Sequence, residues 1–455
     1  MEASSLLLRT GEHFRAIGAI RVRVARRESL FNHTQNVQNV SAKWESSDSV
    51  AAEVNVNGAK AGGVQERVKV LMAAGGTGGH VYPAIAIADE IRRLSGDAVE
   101  VEFVGTKDRM EWLAVPRAGF RIRPIPAVAI RRPFASFENL QVPGKLLRAL
   151  FASWSLLRQV RPHVVVGTGG YVSGPVCLLA ALMGYPVVIQ EQNAYAGLTN
   201  RILGFVATAV FVAFAAAIPY FPKDKCMLCG NPTRAELRQY ISAAVARRFF
   251  FPEDQAREKS SASKDSVKMG KQVLLILGGS LGAQCVNRAA AGMVATMLEE
   301  NPTRYVIWQT GPSYYDDISA QVGSHPRLAI YPFVNAMHLA YAAADLVVAR
   351  AGAITCSELL GTGKPSILIP STNVAEDHQT KNAIAMAEQG AAKVLLESSL
   401  DSSVLATSVN ELLGNPQMLI TMTERAMKAA TPDASTQIAK HVLLLAKYHL
   451  CVGAV

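Results

Sequence analysis

A glycine-rich turn that carries one histidine is the stretch of this chain best suited to chemistry. The turn spans residues 75–83, after an apolar run at 68–74 that predicts a buried strand and before a run rich in Ala and Ile that predicts a helix. Its spacing fits neither the dinucleotide fingerprint nor the Walker loop. A helix N-terminus favours phosphate, and His80 could exchange protons near neutral pH. The alternative is a tight turn with a histidine that only packs.

Two more glycine-rich turns follow apolar runs, at 167–175 and at 278–283. The first of them belongs to the same predicted sheet as the turn at 75–83, so these two should line one crevice. Small residues at 350–360 also follow an apolar run, and they would let a ligand approach the backbone. Within that run, Glu358 could accept hydrogen bonds from both ribose hydroxyls, or it could only stabilise the helix dipole.

Two further stretches could contact sugar and phosphate. Residues 377–382 follow another apolar run and could supply amides to sugar hydroxyls. Arg234, within the stretch 230–234, places a cation at the predicted junction of two domains, where a diphosphate would lie. The alternative for Arg234 is an ordinary surface arginine.

From residue 67 onward, apolar runs alternate with helical stretches, which is typical of parallel sheets covered by helices on both faces. The predicted fold class is therefore α/β, with two doubly wound domains of similar size. Residues 241–271 interrupt the alternation and predict a linker with an exposed loop. A helix over 434–449, capped by Asp433, could cross back to the first domain. The predicted strands are 68–74, 99–104, 163–166, 186–189, 209–212, 272–277, 305–308, 328–331, 346–348 and 366–369.

The overall charge favours anionic partners. The 455 residues have a net charge of +10, which suits nucleotide phosphates or lipid head groups. Nucleic acid is disfavoured because no RNA-binding aromatic signature or basic tail is present. Apolar runs are too short for a membrane span, which predicts a soluble or peripheral protein. The six cysteines suggest a reducing compartment, and the pair Cys226 and Cys229 lacks the further ligands that zinc requires.

Residues 1–65 differ from the rest of the chain. The first 27 residues carry six arginines and only two acidic residues, Glu2 and Glu12. An Arg-rich, acid-poor start without a continuous apolar core is typical of an organelle transit peptide rather than a secretory signal. The alternative is a disordered tail that carries no targeting signal.

A segment at 117–161 combines many cations with large apolar residues, and Glu138 is its one acidic residue. Such a composition suits an anionic membrane surface. The alternative is a solvated helix face over ordinary core. The cations are Arg117, Arg121, Arg123, Arg131, Arg132, Lys145, Arg148, Arg158 and Arg161, and the apolar residues are Phe134, Phe137, Leu140, Leu146, Leu147, Leu150, Phe151 and Trp154.

Taken together, these motifs resemble the MurG family of glycosyltransferases over residues 68 to about 447. The resemblance implies the GT-B fold, in which two Rossmann-like domains face a cleft. The first domain, 66–232 with the helix at 433–449, would take the acceptor and face the membrane, and the second, 233–432, would bind the UDP-sugar. The motifs that carry the resemblance lie at 75–83, 167–175, 191–193, 196–200, 278–283 and 353–358.

The resemblance implies an inverting N-acetylglucosaminyltransferase. Its donor would be UDP-N-acetylglucosamine, and its acceptor the muramyl 4-hydroxyl of undecaprenyl-pyrophosphoryl-muramyl-pentapeptide, which is lipid I of peptidoglycan synthesis. A helix N-terminus and Arg234 would stabilise the charge that develops on UDP, without a metal or another cofactor. His80 would be the base for the acceptor hydroxyl, or it would only position the acceptor.

The resemblance also implies a contact for each matching residue. Donor sugar and phosphate would be contacted by Thr77, Gly78 and Gly79, the transferred sugar by Asn193, the diphosphate by Arg234 and Ser280, and uracil by the backbone of Val334. Ribose and sugar would be held by Ala353, Ile354, Thr355, Cys356, Ser357 and Glu358, with Glu358 on the ribose, and the sugar hydroxyls by Gln379. Thr380 departs from relatives that have a second glutamine at that position.

Two other functions share many of these features. One is a different GT-B enzyme that acts on a glycolipid, and the other is a nucleotide-sugar-binding protein without catalysis, against which His80 argues. Mitochondria contain no peptidoglycan, whereas plastids descend from walled bacteria. The leader and the implied reaction therefore predict the stromal face of a plastid envelope membrane, and the alternative is the cytoplasmic side of a bacterial plasma membrane.

Overall fold

Two parallel β-sheets flanked by helices make up the described part of the chain. The computed structural model describes residues 67–126, 142–252, 270–372 and 377–453. The predicted leader therefore lies outside the described residues. So do residues 127–141 of the basic segment, which include Arg131 and Arg132, and residues 253–269 of the predicted loop.

The first sheet has seven parallel strands in the order β3-β2-β1-β4-β5-β6-β7. The strands are β1 Val68–Ala74, β2 Val99–Gly105, β3 Arg121–Pro124, β4 Val164–Gly169, β5 Val187–Glu191, β6 Ala209–Val212 and β7 Cys226–Leu228. The helices between them are α1 Gly78–Ser95, α2 Glu111–Arg117, α3 Val142–Val160, α4 Gly170–Leu182 and α5 Leu198–Val206. Leu71, Val165 and Ile189 are fully buried, as expected for strands with helices on both faces.

The second sheet has six parallel strands in the order β10-β9-β8-β11-β12-β13. Its strands are β8 Gln272–Leu277, β9 Arg304–Gln309, β10 Leu328–Tyr331, β11 Leu346–Ala349, β12 Ser366–Leu368 and β13 Ala392–Val394. The remaining helices are α6 Ala243–Phe250, α7 Gln284–Glu300, α8 Tyr315–Val322, α9 Met337–Ala343, α10 Ala353–Gly361, α11 His378–Glu388, α12 Ser402–Leu413, α13 Pro416–Ala429 and α14 Ala434–Gly453.

The strand order reverses once in each sheet, between β1 and β4 and between β8 and β11. A crevice opens outside the carboxyl ends of the strands at such a switch point, and ligands bind there. The glycine-rich turns after β1 and β4 flank the first crevice. The turn at 278–283 and the start of α10 flank the second, so the topology alone places the predicted motifs in pairs.

The chain crosses between the two sheets at neighbouring points. Gly230 lies on the outward crossing with φ +84°, and a Cβ atom there would lie 1.6 Å from Thr431 Oγ1 on the return crossing. Only glycine fits this close approach. The return leads into α14, which packs on α1, β1 and β4, with Ile438 and Val442 fully buried.

The fold corrects the predicted linker at 241–271. Residues 243–250 form α6, and Phe250 and Phe251 are buried in the core of the second sheet. Arg247 holds this helix to the sheet through an ion pair of 2.7 Å with Asp345. The prediction was therefore wrong for this part of the segment, which contributes to the core.

The short edge strands β3, β7 and β13 were not predicted. Each has only three or four residues, too few for a period-2 pattern to be visible. No helix within the described residues combines the length and the apolarity that a membrane span requires.

Candidate active site

The glycine-rich turns after β1 and β4 meet at the first crevice. Gly170 has φ +78°, and a Cβ atom on it would lie 2.2 Å from the carbonyl oxygen of Gly75. A Cβ atom on Gly169 would lie 2.8 Å from His80 Nδ1. The structure therefore brings together the two turns that were expected to line one crevice, with His80 between them.

His80 is the third residue of α1, and its ring is held by two oxygen atoms. Its Nδ1 lies 3.0 Å from the carbonyl oxygen of Thr168 and 3.1 Å from Gln192 Oε1. A carbonyl oxygen can only accept a hydrogen bond, so Nδ1 carries the proton and donates it. In the neutral ring, Nε2 then has a free lone pair, which is the form that a general base requires.

The N-terminus of α1 is open to solvent at this crevice. Thr77 and Gly79 are exposed and Gly78 is half-buried, so the first N–H groups of the helix are accessible to an anion. The turn before them is held by Glu111, whose buried carboxylate accepts hydrogen bonds from Gly76 N at 3.2 Å and from Thr106 Oγ1 at 2.7 Å.

Asn193 follows β5 in a loop organised by the buried carboxylate of Glu191. Glu191 accepts hydrogen bonds from the backbone N–H groups of Asn193, at 3.0 Å, and Gly197, at 3.1 Å. The side-chain oxygen of Asn193 accepts a hydrogen bond of 3.3 Å from Asn382 on α11. Asn193 therefore lies at the boundary between the two domains.

Arg234 lies at the domain junction, where its charge acts on the buried carboxyl of Glu358. The Arg234 guanidinium lies 5.0 Å from the centre of the Tyr82 ring, in a cavity of about 570 Å³. Glu358 is buried and accepts a hydrogen bond of 3.0 Å from Tyr341. Burial raises the pKa of the Glu358 carboxyl, and the charge of Arg234 and the Tyr341 hydrogen bond only partly oppose this increase.

Glu358 lies in the second turn of α10, and the first turn carries no acidic residue. Stabilisation of the helix dipole therefore does not explain why Glu358 lies here, because the influence of the dipole fades beyond the first turn. Burial also raises the pKa of the Tyr341 hydroxyl well above its usual value, with the Glu358 charge adding to the shift. Tyr341 consequently remains a hydrogen-bond donor to this carboxylate.

The start of α10 presents small residues to the second crevice. Ile354, Thr355 and Ser357 are half-buried. Cys356, in contrast, is fully buried in the core, and burial raises the pKa of its thiol to about 12. The predicted list of donor contacts is corrected here, because the Cys356 side chain faces the core and not a ligand. Ala353 is 8% exposed, so only its backbone is suited to such a contact.

The turn at 278–283 is joined to Val334 by one buried side chain. Gln309, at the end of β9, donates from Nε2 to the carbonyl oxygen of Gly279 at 2.9 Å. Its Oε1 accepts a hydrogen bond of 2.9 Å from the N–H of Val334. Because the N–H of Val334 is already bonded, its carbonyl oxygen is the backbone atom that remains for the expected contact with uracil. Ser280 is exposed on this turn.

Gln379 lies in the first turn of α11, beside another loop at the carboxyl edge of the second sheet. Its Oε1 accepts a hydrogen bond of 2.9 Å from Ser371 N, which leaves the amide nitrogen to reach a sugar hydroxyl. Thr380 donates to Asp377 Oδ1 at 2.6 Å. Asp377 has φ +52°, a strained conformation for a residue other than glycine.

Sequence reasoning missed several residues that hold this site together. Gln190 and Gln309 are polar side chains at the ends of apolar strands, a signal that could have singled them out. Glu111 and Tyr341 carry no such signal, because their roles depend on contacts across the fold. Among the described residues, no group of three or more His, Cys, Asp or Glu side chains is placed to hold a metal ion.

Two family matches cover most of the described chain. Residues 70–212 match the glycosyltransferase family 28 N-terminal domain. Residues 273–438 match the glycosyltransferase family 28 C-terminal domain. The boundary between the two matches falls in the segment that contains Arg234 and α6.

Several known proteins are similar to this chain over nearly their whole length. A UDP-N-acetylglucosamine--N-acetylmuramyl-(pentapeptide) pyrophosphoryl-undecaprenol N-acetylglucosamine transferase from Salinibacter ruber is 46% identical over 83% of this chain and 96% of its own. A protein of the same name from Bacteroides thetaiotaomicron is 38% identical over 84% and 99%. The crystal structure of Acinetobacter baumannii MurG is 30% identical, with a TM-score of 0.63, over 83% of this chain and 99% of its own.

Proposed function

The chain belongs to glycosyltransferase family 28, and we infer from this membership that it is the N-acetylglucosaminyltransferase that converts lipid I to lipid II in peptidoglycan synthesis. It transfers N-acetylglucosamine from UDP-N-acetylglucosamine to the muramyl 4-hydroxyl of undecaprenyl-pyrophosphoryl-muramyl-pentapeptide. The near-complete overlap with transferases of this name carries the conclusion. Two Rossmann-like domains with facing crevices supply the GT-B architecture that the reaction uses.

We assign the acceptor to the first domain and the donor to the second, with the boundary near residue 232. His80 Nε2 accepts the proton of the acceptor hydroxyl as that oxygen attacks the sugar. Direct displacement converts the α-linked donor to a β1→4 product. The fixed Nδ1–H of His80 supports this role, because it leaves Nε2 unprotonated in the neutral ring.

The second domain and Arg234 hold the donor in this proposal. Glu358 binds the ribose, Gln379 and Asn193 bind the sugar, and the Val334 carbonyl binds uracil. Charge that develops on the leaving diphosphate is stabilised by Arg234 and by N–H groups at the turn 278–283, with Ser280 beside them. The N–H groups at Thr77, Gly78 and Gly79 approach the donor from the opposite side of the cleft.

Product analysis tests the function directly. The full chain is incubated with UDP-N-acetylglucosamine and a short-chain lipid I analogue, and we expect a product larger by one N-acetylglucosamine in a β1→4 linkage. Turnover with another glycolipid alone would identify a different GT-B transferase. UDP binding without any turnover would identify a binding protein.

The exposed face of α3 supports peripheral contact with an anionic membrane. Leu147 and Phe151 are 68% and 70% exposed, and Phe151 packs against Trp154. The Arg158 guanidinium lies 5.0 Å from the centre of the Trp154 ring. These apolar side chains are not part of the core, which supports their contact with a membrane.

Neutralising the basic segment should release the enzyme from anionic vesicles. The variant changes Arg131, Arg132, Arg148 and Arg158 to Gln, and each cation contributes about 1 kcal/mol at such a surface. We expect loss of co-sedimentation with vesicles and unchanged turnover of a soluble acceptor analogue. A control with the same change in charge replaces Lys223, Arg248, Lys428 and Lys440, all exposed elsewhere. Equal vesicle binding by both variants would refute the docking surface.

For residues 1–65 we propose a plastid transit peptide, which would place the enzyme on the stromal face of an envelope membrane. A fluorescent protein fused to residues 1–65 should enter plastids, and replacement of the six arginines in its first 27 residues by Gln should prevent import. Deletion of residues 1–65 should leave transferase activity intact. A cytosolic fusion, or an inactive truncated enzyme, would contradict the assignment.

A further inference from the structure

A chain of three buried amide side chains connects His80 with the start of α10. Gln192 Oε1 lies 3.1 Å from His80 Nδ1, and Gln192 Nε2 donates to Gln190 Oε1. Gln190 Nε2 donates to Asn231 Oδ1 at 2.9 Å. Asn231 Nδ2 then donates to Ser357 Oγ at 2.9 Å and to the Ala353 carbonyl oxygen at 3.3 Å. The three amides are at least 97% buried.

Acceptors at both ends fix the direction of this amide relay. The Thr168 carbonyl beside His80 can only accept, so His80 Nδ1 donates and Gln192 must present its oxygen to the ring. The Ala353 carbonyl at the other end can also only accept, so Asn231 must present its nitrogen there. The bonds from Gln192 to Gln190, from Gln190 to Asn231 and from Asn231 to Ser357 therefore all point from His80 toward α10, and bonds aligned in this way strengthen one another. Gln192 Nε2 also donates to the Thr168 carbonyl oxygen at 2.7 Å, and Asn231 Nδ2 also donates to the Gln192 carbonyl oxygen at 2.9 Å.

The relay crosses from one domain to the other. Gln190 and Gln192 lie at the end of β5, Asn231 lies on the outward crossing, and Ser357 belongs to the helix assigned to the donor. Displacing any one amide would leave the next with an unpaired buried polar group. The position of α10 and the orientation of the His80 ring are therefore linked through these side chains.

We propose that Gln192, Gln190 and Asn231 are positioning residues that hold His80 in its Nδ1–H form and couple that form to the donor-binding end of α10. The proposal rests on the proposed function, because it gives His80 and α10 their roles. It adds a physical route by which occupancy of the donor site reaches the acceptor-side base.

Nitrogen NMR of the full chain with ¹⁵N-labelled histidine tests the near end of the relay without turnover. The His80 signals are assigned by their loss in His80→Gln, and they should show the proton on Nδ1. In Gln192→Leu, Nδ1 loses one of its two acceptors, so we expect the share of the Nε2–H form in the neutral ring to rise. A proton on Nε2 in the neutral ring of the parent, or an unchanged ratio of the two neutral forms in the variant, would overturn the proposal.

Other ionisable groups near the crevice do not account for a change in the His80 spectrum. Glu111 and Glu191 are buried carboxylates that accept hydrogen bonds from the turns beside His80, and Arg234 lies over Tyr82. Tyr171 lies beside Gly76. All of them are unchanged in Gln192→Leu, so a difference between the His80 spectra of variant and parent reports the contact at residue 192.

The far end is tested by Asn231→Ala against a matched control, Asn382→Ala. Asn382 is also a buried asparagine that joins the domains, through Ala194 N at 2.8 Å and the Ala351 carbonyl at 3.2 Å, but it has no bond to the relay. We expect Asn231→Ala alone to change the His80 tautomer signals. Thermal denaturation verifies that both variants are folded, and the same His80 spectrum in both would overturn the coupling.

Steady-state kinetics then distinguish a failure of the relay from a failure of the proposed function. We expect Asn231→Ala and Gln192→Leu to lower kcat with little change in donor KM, and their effects to be non-additive because the two residues act through one chain of bonds. Additive effects would contradict the relay. Altered His80 spectra with an unchanged kcat would instead mean that His80 is not the base, which is a failure of the proposed function alone.

Discussion

Replacement of His80 by alanine is expected to lower kcat by about 10²–10⁴-fold, with the donor KM nearly unchanged. The ring contacts Thr168 and Gln192 on the acceptor side, whereas the donor is assigned to α10 and the turn at 278–283. Removing the base therefore affects the chemical step more than donor binding. Steady-state kinetics with varied UDP-N-acetylglucosamine and a short-chain acceptor provide the measurement.

The pH profile of this variant separates catalysis from positioning. In the parent enzyme kcat should rise with pH as the imidazole loses its proton, and this limb should vanish in His80→Ala. His325→Ala is the control, because His325 precedes β10 at the amino edge of the second sheet, away from both crevices. A decrease of only a few-fold across the profile would leave His80 with a positioning role.

Replacement of Glu358 by alanine should weaken donor binding. Loss of charged hydrogen bonds to the ribose costs about 1.5–3 kcal/mol, or roughly 10–150-fold in the donor KM and in inhibition by UDP. The effect on kcat should be smaller, because the carboxylate is assigned to the ribose and not to the reacting carbon. An unchanged donor KM together with unchanged UDP inhibition would contradict the ribose contact.

Glu358 should also make the free enzyme less stable as the pH rises. Burial raises the pKa of its carboxyl in the folded state above the usual value. Its contribution to stability is therefore complete below the ordinary carboxyl pKa and is lost as the pH increases through the raised value. Glu358→Gln should accordingly raise the Tm of the ligand-free enzyme at pH 8 more than at pH 5. A gap in Tm that does not grow between these two pH values would contradict this account.

Sequence patterns predicted the architecture well where strands are long and buried. The runs that became β1, β8 and β9 contain four or five consecutive apolar residues, so their pattern does not depend on neighbours. Residues 243–250 were misjudged because two arginines and adjacent polar residues suggested a loop. The ion pair to Asp345 and the burial of Phe250 stabilise a helix there, and neither is visible locally.

The site was predictable to the extent that chemistry follows local spacing. Glycine-rich turns after strands indicate phosphate and single out His80, and the small residues at 350–360 single out Glu358. The amide relay could not be predicted in this way, since Gln190 and Asn231 are 41 positions apart. Cys356 was misplaced for a related reason, because spacing alone does not reveal which face of α10 packs into the core.

The return of α14 to the first sheet has a consequence for synthesis on the ribosome. The surface of α1, β1 and β4 that α14 covers is made early, but α14 is made only after the whole second sheet. About 265 residues separate β4 from α14, so at 5–20 residues per second this apolar surface stays uncovered for on the order of 10–50 s. The half of the molecule that is translated first is therefore the last to close, and until then it depends on protection from aggregation.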